Sequence, residues 1–96
     1  MGINWLITGG CGFIGTSLIQ LLLSDDGGNR IRVVDNLSVG TRQDLSQVCH
    51  FVEKSVQEVD AGIDDVELIV ADIQDDNAGM LCAQGIDVIV HLAANT

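Results

Sequence analysis

Residues 8–15 read Thr-Gly-Gly-Cys-Gly-Phe-Ile-Gly, and what flanks them restricts the fold severely. Before them, Ile3-Asn4-Trp5-Leu6-Ile7-Thr8 is a short apolar run that stops at the glycines, the pattern of a buried strand. After them, Phe13 to Leu23 carries Ile14, Leu18, Leu21 and Leu22 at helical spacing, and Ser24-Asp25-Asp26-Gly27-Gly28-Asn29 stops that helix. A strand that turns through glycines straight into an amphipathic helix has few outlets. The helix must lie back over the sheet, and the next strand then runs parallel to the first.

The rest of the chain repeats the pattern. Arg30 to Asp35 (RIRVVD) is a second strand, Asn36 to Gly40 a loop, and Thr41 to Gln47 a short helix. Glu67 to Asp72 is a third strand, Asp75 to Gln84 a helix stopped by Gly85, and Asp87 to Leu92 a fourth strand buried on both faces. Between them, the acidic segment from Cys49 to Asp65 offers only a short extra strand, at His50 to Glu53. Aromatics make up 3% of the 96 residues, so the core must be built from Val, Ile, Leu and Ala. Near-continuous apolar strands alternating with helices imply an α/β protein with a parallel sheet covered on both faces. Right-handed crossovers then lead to the order 3-2-1-4, the first half of a doubly wound (Rossmann) sheet, with residues 1–96 as part of one domain.

In that setting the glycines acquire separate jobs. Gly10, Gly12 and Gly15 spell G-x-G-x-x-G, while Gly9, Gly12 and Gly15 are spaced by three. Gly9 lets the chain turn tightly off the strand, Gly12 lets a pyrophosphate approach the backbone, and Gly15 lets helix and strand pack closely. The helix N-terminus offers N–H groups and a partial positive charge to phosphate. Asp35 ends the second strand 20 residues after Gly15, where an acid suits the ribose hydroxyls of a dinucleotide and repels a 2′-phosphate. NAD is therefore expected over NADP. Arg42, seven residues on, could accommodate a 2′-phosphate, but a solvated or salt-bridged guanidinium is the expectation.

Charge and cysteines narrow the setting. Fourteen acidic residues against four basic ones give a net charge of −10, which repels nucleic acid and anionic membranes. Any phosphate must then be held by local backbone dipoles. Cys11, Cys49 and Cys82 form no C-x-x-C pair, Met1 to Asn4 lacks a basic leader, and no run reaches membrane-spanning length. These features suit a soluble, cytoplasmic protein.

Four motifs in order carry a resemblance. TGGCGFIG, VDNLSVG (Val34 to Gly40), ADI (Ala71 to Ile73) and HLAA (His91 to Ala94) resemble the extended short-chain dehydrogenase/reductase family. Within it they are most similar to the NAD-dependent nucleotide-sugar epimerases and dehydratases of the UDP-glucose 4-epimerase type. The resemblance implies that Gly9, Gly12, Phe13, Ile14 and Gly15 hold the pyrophosphate of NAD. It implies that Asp35 and Asn36 contact the adenosine ribose, that Leu37, Ser38 and Gly40 shape that loop, and that Asp72 and Ile73 meet the adenine. Leu92, Ala93 and Ala94 would line the path toward the nicotinamide. The family's catalytic Ser or Thr and Tyr-x-x-x-Lys pair would follow the fourth strand. This chain holds no tyrosine, its one lysine is Lys54 in the segment that does not match, and Cys11 stands where the family often has a small residue such as Ala. No catalytic residue is therefore assigned. The expectation is the NAD-binding N-terminal portion of an epimerase or dehydratase, not competent alone, whose full-length form acts on a nucleotide sugar. The alternative is a stand-alone, non-catalytic dinucleotide-binding or regulatory module.

Other residues invite a role and are better explained otherwise. His50 and His91 have no partner at metal-ligand spacing. Cys11, at a helix N-terminus, could have a lowered pKa but is expected simply to fill the turn. The acidic stretch Glu58 to Glu67 is expected to be a solvated face. The fourth strand, with Val88-Ile89-Val90 and no proline or lysine, lacks protection as an edge, so the isolated chain is expected to form a homodimer through it.

Overall fold

The computed structural model describes residues 2–25, 28–37, 40–60, 62–63, 65–72 and 76–92. In chain order they form β1 (Asn4–Thr8), α1 (Phe13–Leu23), β2 (Arg30–Asp35), α2 (Arg42–Ser46), β3 (Val52–Lys54), a 3₁₀ turn (Val56–Glu58), β4 (Val66–Val70), α3 (Asp76–Cys82) and β5 (Val88–His91). The five strands make one sheet in the order β3-β4-β2-β1-β5, and every pairing is parallel. The four strands expected from the sequence stand in the expected 3-2-1-4 order. The short strand suspected at His50 to Glu53 is real, shifted to Val52–Lys54, and extends the sheet outside β4.

Parallel strands need crossovers, and these divide the helices between the faces. On one face Ile19 of α1 and Leu45 of α2 pack with Ile7, Ile31, Val33 and Leu68, all at or below 1% exposure. On the other, Cys82 of α3 and Val59 pack with Leu6, Val34 and Ile69. Two small polar devices fix the helix ends. The Asn29 amide donates to the Leu22 carbonyl at the end of α1 and accepts from the Trp5 indole N–H, tying helix to first strand. Thr41 caps α2 in a reciprocal box with Asp44.

Two expectations are corrected here. The stretch from Glu58 to Glu67 is not a solvated face throughout. Val59 and Ile63 are buried, and Glu67, pointing into the sheet face beside Arg32, is 0% exposed. Arg32 Nε donates to Glu67 Oε2 at 2.7 Å, and Lys54 Nζ lies 3.2 Å from Glu67 Oε1. The remaining guanidinium donors reach the carbonyls of Cys82 and Gln84, at 2.6 and 2.7 Å, and that of Asp60. Alternation explains why the sequence misled: Glu67 shares its row with Leu6 and Arg32, so strand register alone sends it inward. The last strand is likewise not buried on both faces. Val88 and Val90 are half-buried against the α1 side, while Ile89 is 59% exposed and His91 exposed on the α3 side. β5 is the sheet's outer strand, paired with β1 on one side.

Candidate functional site

The chain leaves β1 through Gly9, whose φ of 76° lies in the left-handed region open to glycine. Its N–H bonds the Val34 carbonyl at 2.8 Å, so the turn starts over β2. The Gly12 N–H returns to the Gly9 carbonyl, and Gly12, in extended conformation, is the N-cap of α1. No described side chain caps this helix, and its first turn holds no acidic residue. Its N-terminal N–H groups and dipole are left to whatever approaches the loop.

The glycines differ in what demands them. A Cβ on Gly10 would lie 2.6 Å from a Val33 methyl, and one on Gly15 would lie 2.5 Å from the Gly10 Cα and 2.6 Å from the Gly9 oxygen. Packing alone therefore excludes a side chain at both. At Gly12 the nearest atom is the Gly9 oxygen at 3.5 Å, an ordinary contact, and φ is −75°. Among the described residues nothing requires glycine at position 12.

Asp35, at 7% exposure, is a strut between two loops. Its Oδ2 accepts the Cys11 N–H at 2.9 Å and its Oδ1 accepts the Leu37 N–H at 2.7 Å. The second bond holds Leu37 at φ 61°, a left-handed conformation that costs a residue with a Cβ roughly 1–2 kcal/mol. Gly40 then returns the loop onto the glycine turn, where a Cβ would fall 1.9 Å from the Cys11 oxygen. Asn36 is exposed at the start of this loop.

The other sheet residues meet at the same end. The Ala71 N–H bonds the Asp35 carbonyl at 3.2 Å, bringing exposed Asp72 alongside the end of β2. The Leu92 N–H bonds the Thr8 carbonyl at 2.9 Å and its Oγ1 at 3.1 Å, and Thr8 Oγ1 shares a 2.7 Å hydrogen bond with His91 Nδ1. So Gly9, Asp35, Asp72 and Leu92 gather at the carboxyl ends of β1, β2, β4 and β5, where open α/β sheets take ligands. Phe13 and Ile14 stand 87% and 68% exposed at the mouth. Ser38, Ile73, Ala93 and Ala94 lie outside the described residues.

The competing readings find partners elsewhere. Burial, reinforced by the Asp35 carboxylate, pushes the Cys11 thiol up to about 12, and the side chain is 1% exposed, so it fills the turn as a neutral group. Arg42 forms a two-pronged pair with Glu53 at 2.6 and 3.1 Å, directed along α2 and β3 rather than toward Asp35. His91 is engaged by Thr8. Among the described residues no three His, Cys, Asp or Glu side chains gather as a metal-holding group, and no helix is long and apolar enough to cross a membrane. A groove of about 580 Å³ beside Arg30, His50, Phe51 and Val66 opens at the opposite end of the sheet, where β2 and β4 begin, and shares no residue with the glycine turn. Sequence reasoning missed the parts played by Thr8, Gly10 and the Cys11 N–H, because each depends on a neighbour from another strand or loop.

Comparison with known proteins bears on the same end of the sheet. The profile of the 3-beta hydroxysteroid dehydrogenase/isomerase family matches residues 6–96. The chain belongs to this family. It is also 39% identical over 90 residues to a UDP-glucose 4-epimerase of Mycolicibacterium smegmatis, covering 93% of this chain and 24% of that protein. Among solved structures, UDP-glucose 4-epimerase of Thermotoga maritima, determined with UDP-glucose, superposes with a TM-score of 0.67 at 26% identity over 98% of this chain and 25% of the other. The dTDP-glucose 4,6-dehydratase of Bacillus anthracis str. Ames, determined with NAD, reaches a TM-score of 0.71 at 22% identity, over 97% and 27% of the two chains, and shares the fold. The similarity to a UDP-glucose 4-epimerase thus extends well beyond the four short motifs, over 90 residues. The chain spans about a quarter of the length of these relatives.

Proposed function

We propose that these residues are the NAD-binding portion of an NAD-dependent epimerase or dehydratase acting on a nucleotide-linked sugar, and that the 96 residues form the N-terminal part of its dinucleotide-binding domain. The observation that carries this reading is Gly12. Its neighbours Gly10 and Gly15 are glycine because the protein fills the space, whereas a Cβ on Gly12 would make only an ordinary 3.5 Å contact with the Gly9 oxygen among the described residues, at a helix N-terminus with no side-chain cap. A ligand that must touch the backbone there accounts for the missing side chain, and a pyrophosphate suits the N–H groups of Phe13 and Ile14. Gly9 and Gly15 hold that turn in shape. Asp35 and Asn36 would receive the adenosine ribose, and Leu37, Ser38 and Gly40 would form its loop. Asp72 and Ile73 would border the adenine, and Leu92, Ala93 and Ala94 would lead toward the nicotinamide. The Asp35 carboxylate opposes a 2′-phosphate, and Arg42 is occupied by Glu53, which favours NAD over NADP.

Bound NAD would supply hydride acceptance and return. The chain's own residues bind and orient; they include no tyrosine, and Lys54 is engaged by buried Glu67, so the proton transfers belong to residues outside these 96. The 39% identity to a UDP-glucose 4-epimerase supports a nucleotide sugar over a steroid. The protein is proposed to be cytoplasmic, and the isolated chain a homodimer through β5.

Calorimetric titration with NAD and NADP tests the binding reading, with tighter binding of NAD expected and equal affinities contradicting the role of Asp35. Incubating the 96-residue chain with NAD and UDP- or dTDP-sugars should give no product. Turnover above a protein-free control would show that the chain is catalytically complete. A stand-alone binding module would pass both tests, and a downstream Tyr-x-x-x-Lys in the reading frame separates the two.

A further inference from the structure

Gly40 lies outside the glycine turn, yet a side chain on it would collide with the backbone of that turn. A Cβ built on it would fall 1.9 Å from the Cys11 oxygen, 2.2 Å from the Cys11 carbonyl carbon and 2.7 Å from the Gly12 nitrogen. All three atoms belong to the peptide that joins Cys11 to Gly12, the N-cap of α1. The backbone of residue 40 therefore approaches that peptide too closely for any side chain to fit between them. The preceding peptide is held from the same side, because its Cys11 N–H is bonded to the buried Asp35 carboxylate. Asp35 and Gly40 begin and end a single loop. The glycine turn is thus clamped at two successive peptides by one neighbouring segment.

We infer that Gly40 is a positioning residue for dinucleotide binding, fixing the Cys11–Gly12 peptide, and with it the N–H groups at the start of α1, before any ligand arrives. This rests on the reading of that turn as the pyrophosphate site. Any side chain at position 40 must drive the peptide back by more than about 1 Å to reach an ordinary contact. A displacement of that size at a binding backbone is enough for a large loss of affinity. Gly62 supplies a control, since among the described residues a Cβ there meets only Asp60 Oδ1, at 3.4 Å.

The test is made on the natural full-length chain. Amide hydrogen exchange is followed at Cys11 and Gly12 in the ligand-free protein, beside NAD titration and thermal unfolding of the wild type, Gly40→Ala and Gly62→Ala. In the wild type the Cys11 N–H should exchange as slowly as amides inside α1. Gly40→Ala should lose that protection and weaken NAD by about tenfold or more, while Gly62→Ala changes neither. A Cys11 amide that exchanges freely in the wild type overturns the inference, as does Gly40→Ala with wild-type protection or wild-type affinity. If Gly40→Ala does not fold, Asp35→Asn, which weakens the other half of the clamp, should lose Cys11 protection; retention of that protection overturns the inference. A wild type that binds no NAD refutes the pyrophosphate reading, and with it the role of Gly40, even where the exchange data show the clamp itself.

Discussion

At the scale of single residues, the glycines of the turn separate ligand demand from packing demand. Gly12→Ala introduces a methyl at an ordinary 3.5 Å contact with the Gly9 oxygen and at a φ that alanine adopts freely, so stability should hold, or rise by up to about 1 kcal/mol because the unfolded chain loses freedom. NAD affinity should nevertheless fall. Gly15→Ala drives a Cβ into the Gly10 backbone and should cost about 1–3 kcal/mol. Urea unfolding beside calorimetry checks the contrast, and a Gly12→Ala variant that binds NAD normally would remove the main support for the site. Cys11 gives a second test. Its thiol is raised from 9.0 to about 12 in the folded chain, so the unfolded chain releases that proton first. The native state then holds the extra proton between these values. Its contribution is complete below pH 9 and lost as pH climbs through about 12. Burial raises Cys49 and Cys82 in the same direction, so Cys11→Ala should flatten the alkaline fall in stability in part. An unchanged alkaline unfolding profile would contradict the buried thiol.

At the scale of elements, the ion cluster under α3 joins pieces that apolar packing leaves loose. Arg32 sits in the middle of β2, Glu67 beside it on β4, and the guanidinium reaches the end of α3 and the segment before β4. Removing one partner strands a buried charge. Arg32→Met should therefore destabilise by about 3–5 kcal/mol, a large share of what a domain of this size possesses. Adding Glu67→Leu should recover part of the loss, the carbonyls of Cys82, Gln84 and Asp60 still lacking their donor. A denaturant series on the single and double variants measures this, and an Arg32→Met loss under about 1 kcal/mol would show the cluster to be incidental.

At the scale of the whole molecule, the sheet has two unlike edges. β3 is three residues long and carries Glu53 and Lys54, both ion-paired, which discourages further strand pairing. β5 offers Val88–His91 with Ile89 exposed and no charged side chain between them. Studied alone, the 96-residue chain should dimerise with two β5 strands antiparallel across a two-fold axis. Light scattering should give the dimer mass, and Ile89→Lys should return a monomer. A monomeric wild type at high concentration, or a dimer indifferent to the substitution, would exclude this edge.

The order of the sheet, and which residues gather at its carboxyl ends, were legible because both follow from local rules. Apolar runs alternating with helices force parallel crossovers, and the glycines after β1 and Asp35 after β2 mark the strand ends by position in the chain. The short β3 was legible only in outline, since a three-residue strand carries little periodicity. Glu67 was misread because an acid in an acidic segment looks solvated until strand register sets it beside Arg32. The clamp of Asp35 and Gly40 on the glycine turn was invisible for a related reason. It joins residues 24 or more positions apart, and it depends on where a Cβ would collide, a property of space that no spacing in the sequence encodes.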